Sequence, residues 1–375
     1  MSRHYDVAVV GAGILGLAHA WMAVRRGLRV VLFERSAQAE GATIRNFGMI
    51  WPIGQPAGEL YDTALRSRDL WLALHDQNVV QADHCGAVHL AHHPDELAVL
   101  EEFCAAGTHE CRVLSRDETL DHAPIACPDG LLGGLFSPTE LRVNPRVAAA
   151  QIAAWLESHH GVVRCFATPV LQVDDGSVVS ADGCRWRADR VVVCSGSDLQ
   201  TLFPEVLKNS GLRLCKLQML RTVAQPSPVK QFAHIASGLT LRHYTSFEHC
   251  PSLAALRRRV ATESPTLDRY GIHVMATQTA DSEFILGDSH EYDADISPFD
   301  KPEIDRLILQ ELQKIICLPD WSISERWHGV YARHPELSVF EATPEPNIHV
   351  CVGPGGAGMT MSFGLAERFW NRRTG

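Results

Sequence analysis

The sequence predicts a mixed α/β fold in which a largely parallel sheet is interleaved with a second, mixed and largely antiparallel sheet. Three observations predict it. First, the apolar run Val7-Ala8-Val9-Val10 leads straight into Gly11-Ala12-Gly13-Ile14-Leu15-Gly16, so a strand turns into a helix through glycines. Second, another apolar run, Val30-Val31-Leu32-Phe33, ends at Glu34, eighteen residues after Gly16. Third, two distant runs, Ala188–Cys194 and Ile348–Val352, also deliver an apolar strand to a glycine, at Gly196 and Gly353. In an open α/β sheet such strand ends gather on one edge, where ligands bind.

The first unit reads as β-α-β over 5–34, with the helix running from Ile14 to about Arg26 and Gly27 as its C-cap. Gly11 permits the tight turn, Gly13 lets the backbone approach a pyrophosphate, and Gly16 lets the helix lie close on the strand. The helix N-terminus suits phosphate, and Glu34 suits ribose hydroxyls. This is a Rossmann-type dinucleotide site. Arg35 to Gly54 reads as a loop, 57–77 as a helix, Cys85 to Ala91 as a strand and His93 to Ala106 as a helix. Gly133–Pro138 reads as a strand and turn, and Asn144-Pro145 opens a helix to about Ser158. Residues 162–193 alternate and turn. The region 215–320 reads as strand-rich with one helix near 301–316, and a last helix is expected from about Ser362. The expected division is a discontinuous dinucleotide domain over 1–80, 140–214 and 328–375, and a substrate domain over 81–139 and 215–327.

Composition narrows the function. A chain of 375 residues, 46% hydrophobic and 21% charged, is that of a soluble globular protein. A net charge of -10 without a basic block argues against nucleic acid, and Arg257-Arg258-Arg259 reads as a solvated helix face. No apolar run reaches membrane-spanning length, and a strand beginning near Tyr5 leaves no room for a signal peptide. The eleven cysteines are scattered without a CxxC pair, so they read as reduced thiols in a cytoplasmic protein. Nineteen histidines are many, but there is no HExxH, and no metal centre is expected. No internal repeat or low-complexity tract is present.

The closing segment Gly353-Pro354-Gly355-Gly356-Ala357-Gly358-Met359-Thr360-Met361-Ser362-Phe363-Gly364, together with Gly11–Gly16, Glu34 and Ala188–Gly196, resembles the D-amino-acid oxidase superfamily of flavoproteins, which includes glycine oxidase and sarcosine oxidase. The resemblance runs over nearly the whole chain and implies bound FAD. It implies that Gly353, Gly355, Gly356, Ala357, Gly358, Met359 and Thr360 cradle the isoalloxazine, with backbone N–H groups near its electron-accepting pole. Gly11, Gly13, Ile14, Gly16, Glu34, Arg35, Ser195 and Gly196 would hold the remainder. Thr43, Arg45, Asn46 and Phe47 lie where the family has a loop over pyrophosphate and flavin. Val170, after Thr168-Pro169, matches the contact with adenine. The loop Thr43–Met49 has no histidine and Val330–Arg333 no cysteine, so the FAD is expected to be non-covalent.

Flavin amine oxidation asks mainly for orientation and a dry cavity, so no obligatory catalytic side chain is expected. An anion anchor is required, and arginine suits it. Arg333, in Trp327–Pro335, matches the family's carboxylate-binding arginine. Arg242, His243 and Tyr244, on an expected strand Leu241–Phe247, would line the substrate pocket, with His273, Trp51 and Gln55 as further candidates. Phe47–Glu59, Leu241–Phe247 and Trp327–Pro335 resemble a subgroup associated with organophosphonate breakdown. This implies an aminophosphonate substrate, such as an N-methylated aminoethylphosphonate, oxidised to an imine that hydrolyses. Arg333 with Arg242 or His243 would match its charge. Oxygen or another acceptor must reoxidise the flavin, and homo-oligomer formation is left open. Three other readings stand beside this one. A 2-hydroxy-acid oxidase would use His328 or His334 as base. A non-catalytic flavin-binding partner subunit would need no intact anchor, and a nicotinamide dehydrogenase leaves the last glycine turn without a role.

Overall fold

The computed structural model describes residues 4–226 and 229–372. Residues 1–3 and 373–375, at the outer ends of the expected dinucleotide domain, and 227–228, in the expected substrate domain, lie outside them. Within the described residues the strands form sheets of eight, nine and three strands.

The eight-stranded sheet begins with β1 (His4–Val10), α1 (Ile14–Val24) and β2 (Val30–Phe33). β1 lies parallel between β2 and the strand Arg185–Val193, and Ile348–Val352 lies parallel beyond that strand. β2 and Ile348–Val352, and the C-terminal halves of β1 and Arg185–Val193, are apolar runs because α1 covers one face and Val173 and Leu202 pack on the other. Gly11 sits at φ +104°, and a Cβ there would come 2.2 Å from the Cys194 carbonyl oxygen. A Cβ on Gly16 would come 1.9 Å from the Gly11 carbonyl oxygen. Only glycine allows the strand, the turn and the helix to pack this closely.

The nine-stranded sheet is mostly antiparallel. Its spine is Arg213–Thr222, paired along its length with Ile323–Arg333, from Arg213 opposite Arg333 to Thr222 opposite Ile323. Ile323–Arg333 therefore crosses the boundary expected between 327 and 328 and carries Arg333 on the substrate sheet. The smallest sheet joins Met49–Ile50, Leu141–Val143 and Ala82–His84 and ties the two larger parts together.

Five expectations are corrected. Leu241–Phe247 is not a strand but two short 3-10 turns, Gly238–Arg242 and Thr245–Phe247. The middle region holds a second long helix, Leu253–Glu263, followed by the short Pro265–Arg269. Arg259 on that helix is not simply solvated, because it pairs with Asp95 and Glu96. The last helix begins at Gly358, four residues before Ser362, after a 3-10 turn at Gly355–Ala357. Finally, Cys127 and Cys317 form a disulfide with Cα atoms 5.5 Å apart, while the other nine cysteines are not in disulfides. The backbone bonds Cys127 N–Ile315 O and Cys317 N–Ile125 O hold the two segments side by side. This tertiary pairing, across 190 residues, leaves no trace as local cysteine spacing.

Candidate functional site

A cavity of about 990 Å³ runs along the C-terminal edge of the parallel sheet and under the antiparallel one. At one end lie Glu34, Arg35 and Thr168–Val170; in the middle lie Gly11, Gly13–Gly16, Thr43 and Ser195–Gly196; at the far end lie Gly353–Thr360 and Arg333. Every residue expected to touch the cofactor lines this one cavity.

The local chemistry differs from residue to residue. Glu34 Oε2 accepts from the Ala12 N–H at 2.9 Å, and Oε1 accepts from the Ser36 N–H at 3.1 Å. These bonds pin the carboxylate at the end of β2. The Thr43 hydroxyl oxygen accepts from the Ile14 N–H at 2.9 Å and caps α1 from across the cavity, leaving its own proton to donate. Arg35 pairs with Asp198 at 3.0 Å. Arg45 reaches the His328 carbonyl at 3.4 Å, while its own carbonyl accepts from Trp327 Nε1 at 3.3 Å. Asn46 lines the cavity and also braces the loop: its amide donates to the Ala42 and Thr43 carbonyls and accepts from the Gly48 N–H. These bonds hold the loop's shape. The Thr360 hydroxyl accepts from the Trp51 N–H at 2.9 Å, tying the last helix to the loop before Gly54.

The pattern of free and occupied groups fits FAD. Ser195 Oγ is buried, lines the cavity and has no hydrogen-bond partner among the described residues. Gly11, Gly13 and Ile14 line the cavity at the N-terminus of α1, where a pyrophosphate would meet backbone N–H groups. Glu34 would hold ribose, Val170 would face adenine, and Gly353–Thr360 would face the isoalloxazine.

The substrate end is built largely from the second sheet. Arg333 Nη1 donates to the Tyr292 hydroxyl at 2.8 Å, and its guanidinium carbon lies 5.7 Å from the Tyr292 ring centre. No carboxylate pairs with Arg333 among the described residues, and it sits beside the glycine turn through a bridge to Pro354. His243, Tyr244, His273, Trp51 and Gln55 all line the same cavity. The Tyr244 hydroxyl approaches Met275 Sδ at 3.5 Å, and buried Trp51 Nε1 has no partner among the described residues. Arg242 is a correction. It does not line the cavity, because the 3-10 turn points it at Asp268 and the Ile272 carbonyl. Burial lowers its pKa, and the Asp268 carboxylate works against that shift.

Sequence reasoning missed Asp288, His290, Tyr292 and Tyr331. Asp288 and His290 gather with His243 and His273, and the three imidazoles present ligand atoms all within 4.8 Å of one another. They come from three separate segments, so no motif signals them. No helix among the described residues is long and apolar enough to cross a membrane.

Comparison with known proteins agrees with this geometry. The family model described as FAD dependent oxidoreductase (DAO) matches residues 6–371. The chain is 26% identical to glycine oxidase of Geobacillus kaustophilus over 212 residues, 52% of this chain and 56% of that protein. It is 25% identical to N-methyl-L-tryptophan oxidase of Escherichia coli over 231 residues, 54% of this chain and 56% of that protein. The chain thus spans about half the length of these curated relatives. The crystal structure of glycine oxidase from Geobacillus kaustophilus superposes with a TM-score of 0.78 at 18% identity, covering 99% of this chain and 94% of that one. Glycine-rich strand ends converging on one long cleft, and a family match over almost every described residue, lead to one conclusion: the chain belongs to the DAO family of FAD-dependent oxidoreductases.

Proposed function

We propose that the protein oxidises a small anionic primary or secondary amine to an imine, which water hydrolyses to an aldehyde or oxo acid and the released amine. The carrying observation is Arg333, a cation held by Tyr292 and left without a carboxylate partner among the described residues, beside the turn expected to hold the flavin ring. Relatives named glycine oxidase and N-methyl-L-tryptophan oxidase support the amine class. FAD, held without a covalent link, supplies a two-electron acceptor when bound.

The chain's own residues orient and dry the reacting centre. Arg333 would grip the substrate's anionic group through its remaining N–H donors, which fixes the carbon presented to the ring. Trp51, Met219, Tyr244 and Met275 form an apolar wall at this end of the cavity, and it would keep water from the C–H bond being broken. The finer reading is an aminophosphonate, such as an N-methylated aminoethylphosphonate. With Arg242 turned away, His243 is the expected second polar contact to that headgroup. For the hydroxy-acid alternative, His328 is engaged by Asp300 at 2.9 Å, and His334 Nδ1 accepts from the Glu336 and Leu337 N–H groups. Neither histidine is placed as a free base.

Anaerobic mixing with N-methyl-aminoethylphosphonate, sarcosine and glycine tests the reading. Bleaching fastest with the phosphonate supports both levels. Bleaching only with the carboxylates keeps the amine and removes the phosphonate. No bleaching by any of the three overturns the amine oxidation.

A further inference from the structure

His243 stands in the turn after Gly238–Arg242, His273 precedes the strand Met275–Gln278, and His290 lies between Phe284–Gly287 and Glu291–Asp293. Their ring centres are 3.9, 4.4 and 4.8 Å apart. Asp288 enters the same cluster, with Oδ1 3.4 Å from His273 Nε2 and Oδ2 3.9 Å from His290 Nε2. These approaches make no hydrogen bond. Both His273 ring nitrogens and Asp288 Oδ1 are without a hydrogen-bond partner among the described residues, although His273 is 3% and Asp288 5% exposed. Buried polar atoms left unpaired cost about 1–3 kcal/mol each, so a native fold with several of them in one place points to a missing partner.

The identity of that partner follows from the donor set. An anion would find no fixed positive charge among the three imidazoles. A cation would be met by three neutral imidazoles and a carboxylate, all acceptors. His290 Nδ1 lies 3.3 Å from the Gly271 carbonyl. That places its proton on Nδ1 and leaves Nε2 for the cluster, an arrangement that metal-binding histidines use. Ligand bonds of about 2.0–2.2 Å set neighbouring donors roughly 3.3–3.5 Å apart in a tetrahedron. The Asp288–His273 approach of 3.4 Å has that spacing already. Arg333 shares the cavity and opposes a second cation, and the Asp288 charge offsets it.

We propose that His243, His273, His290 and Asp288 form a site for one divalent transition cation of the zinc class, with an open position facing the substrate cavity. Three nitrogen donors favour zinc over magnesium or calcium, which prefer all-oxygen sites. All four residues line the cavity, so an anionic oxygen of a ligand could complete the shell. The site does not rest on the amine reading, because metal uptake is measured with no amine present.

The test uses the flavin-loaded protein, stripped with a chelator, desalted, exposed to Zn²⁺ or Mg²⁺ and passed through gel filtration. About one zinc per chain is expected, with no retained magnesium. The double variant His273→Gln/Asp288→Asn, checked by its flavin spectrum and Tm, should lose at least nine-tenths of that zinc. Should the variant fail to fold, Co²⁺ added to the parent protein decides. Visible bands of a four- or five-coordinate nitrogen/oxygen site, at wavelengths beyond the flavin, support the proposal. No zinc above background overturns it, as does full zinc retention in a folded double variant. A Co²⁺ spectrum of the hexaaqua ion overturns it too. So does a thiolate charge-transfer band, which would place the metal at the separate buried group His19, His349 and Cys351.

Discussion

Arg333 offers a clean separation of substrate binding from cofactor binding, because its guanidinium touches Tyr292 while only its stem lies against the glycine turn. Arg333→Ala should leave the flavin spectrum intact and raise KM for the amine by roughly 10- to 150-fold, the equivalent of about 1.5–3 kcal/mol for hydrogen bonds to a charged group. Steady-state kinetics with a flavin-content control measures it, and an unchanged KM would remove the anchor. Gly11→Ala should do the opposite. A Cβ 2.2 Å from the Cys194 carbonyl, at φ +104°, cannot be relieved by a side-chain movement. Strain of about 1–3 kcal/mol should cut FAD retention after desalting by tenfold or more. That Gly11, Glu34 and Arg333 would meet at one cavity was legible because each sits in a contiguous motif. Arg242 was misread because a side chain's direction depends on backbone geometry that sequence does not print. The Asp288–His290 cluster was invisible because its members meet only in the folded chain.

At the scale of elements, the strand–turn–helix units were readable wherever an apolar run met glycine or proline, as at Val7–Gly16 and Asn144-Pro145. The helix Leu253–Glu263 was not, because only Leu253, Leu256 and Val260 face the core and three arginines mask their spacing. The last helix packs across α1 and across Glu59–Asp76, and Gly364 is where the second crossing is tightest. A Cβ there would come 2.3 Å from the Thr63 carbonyl oxygen. Gly364→Ala should therefore lose about 1–3 kcal/mol by overpacking, despite alanine's better helix propensity. A lower denaturant midpoint measures this, and a raised midpoint would mean that the helices can part freely. Because Thr360 rides on the same helix and holds the Trp51 N–H, flavin fluorescence should shift together with stability.

For the whole molecule, buried histidines set the acid limit. His19, His89 and His234 are each pushed down to about 3, chiefly by burial, with His349 facing the first and Arg142 and Asp83 near the third. Above pH 6.5 they are neutral folded or unfolded and cost nothing. Below it the unfolded chain takes up protons that the folded chain refuses until about pH 3, so stability falls by about 1.4 kcal/mol per pH unit per histidine. His89 has no hydrogen-bond partner among the described residues for either ring nitrogen. His89→Leu should thus flatten the acid limb by about one proton, read from urea midpoints between pH 4 and 6.5; an unchanged slope would show that His89 protonates in place. The interleaving of the two sheets also has a consequence in time. The cavity needs Gly11 and Glu34 from the start of the chain and Gly353–Thr360 from near residue 360. At roughly 5–20 residues per second, the ribosome makes the first half of the flavin cradle on the order of 15–60 s before the second. Nascent chains halted before residue 353 should hold no flavin, so loading follows synthesis, and the naked edge beside Arg185–Val193 must be sheltered until Ile348–Val352 arrives.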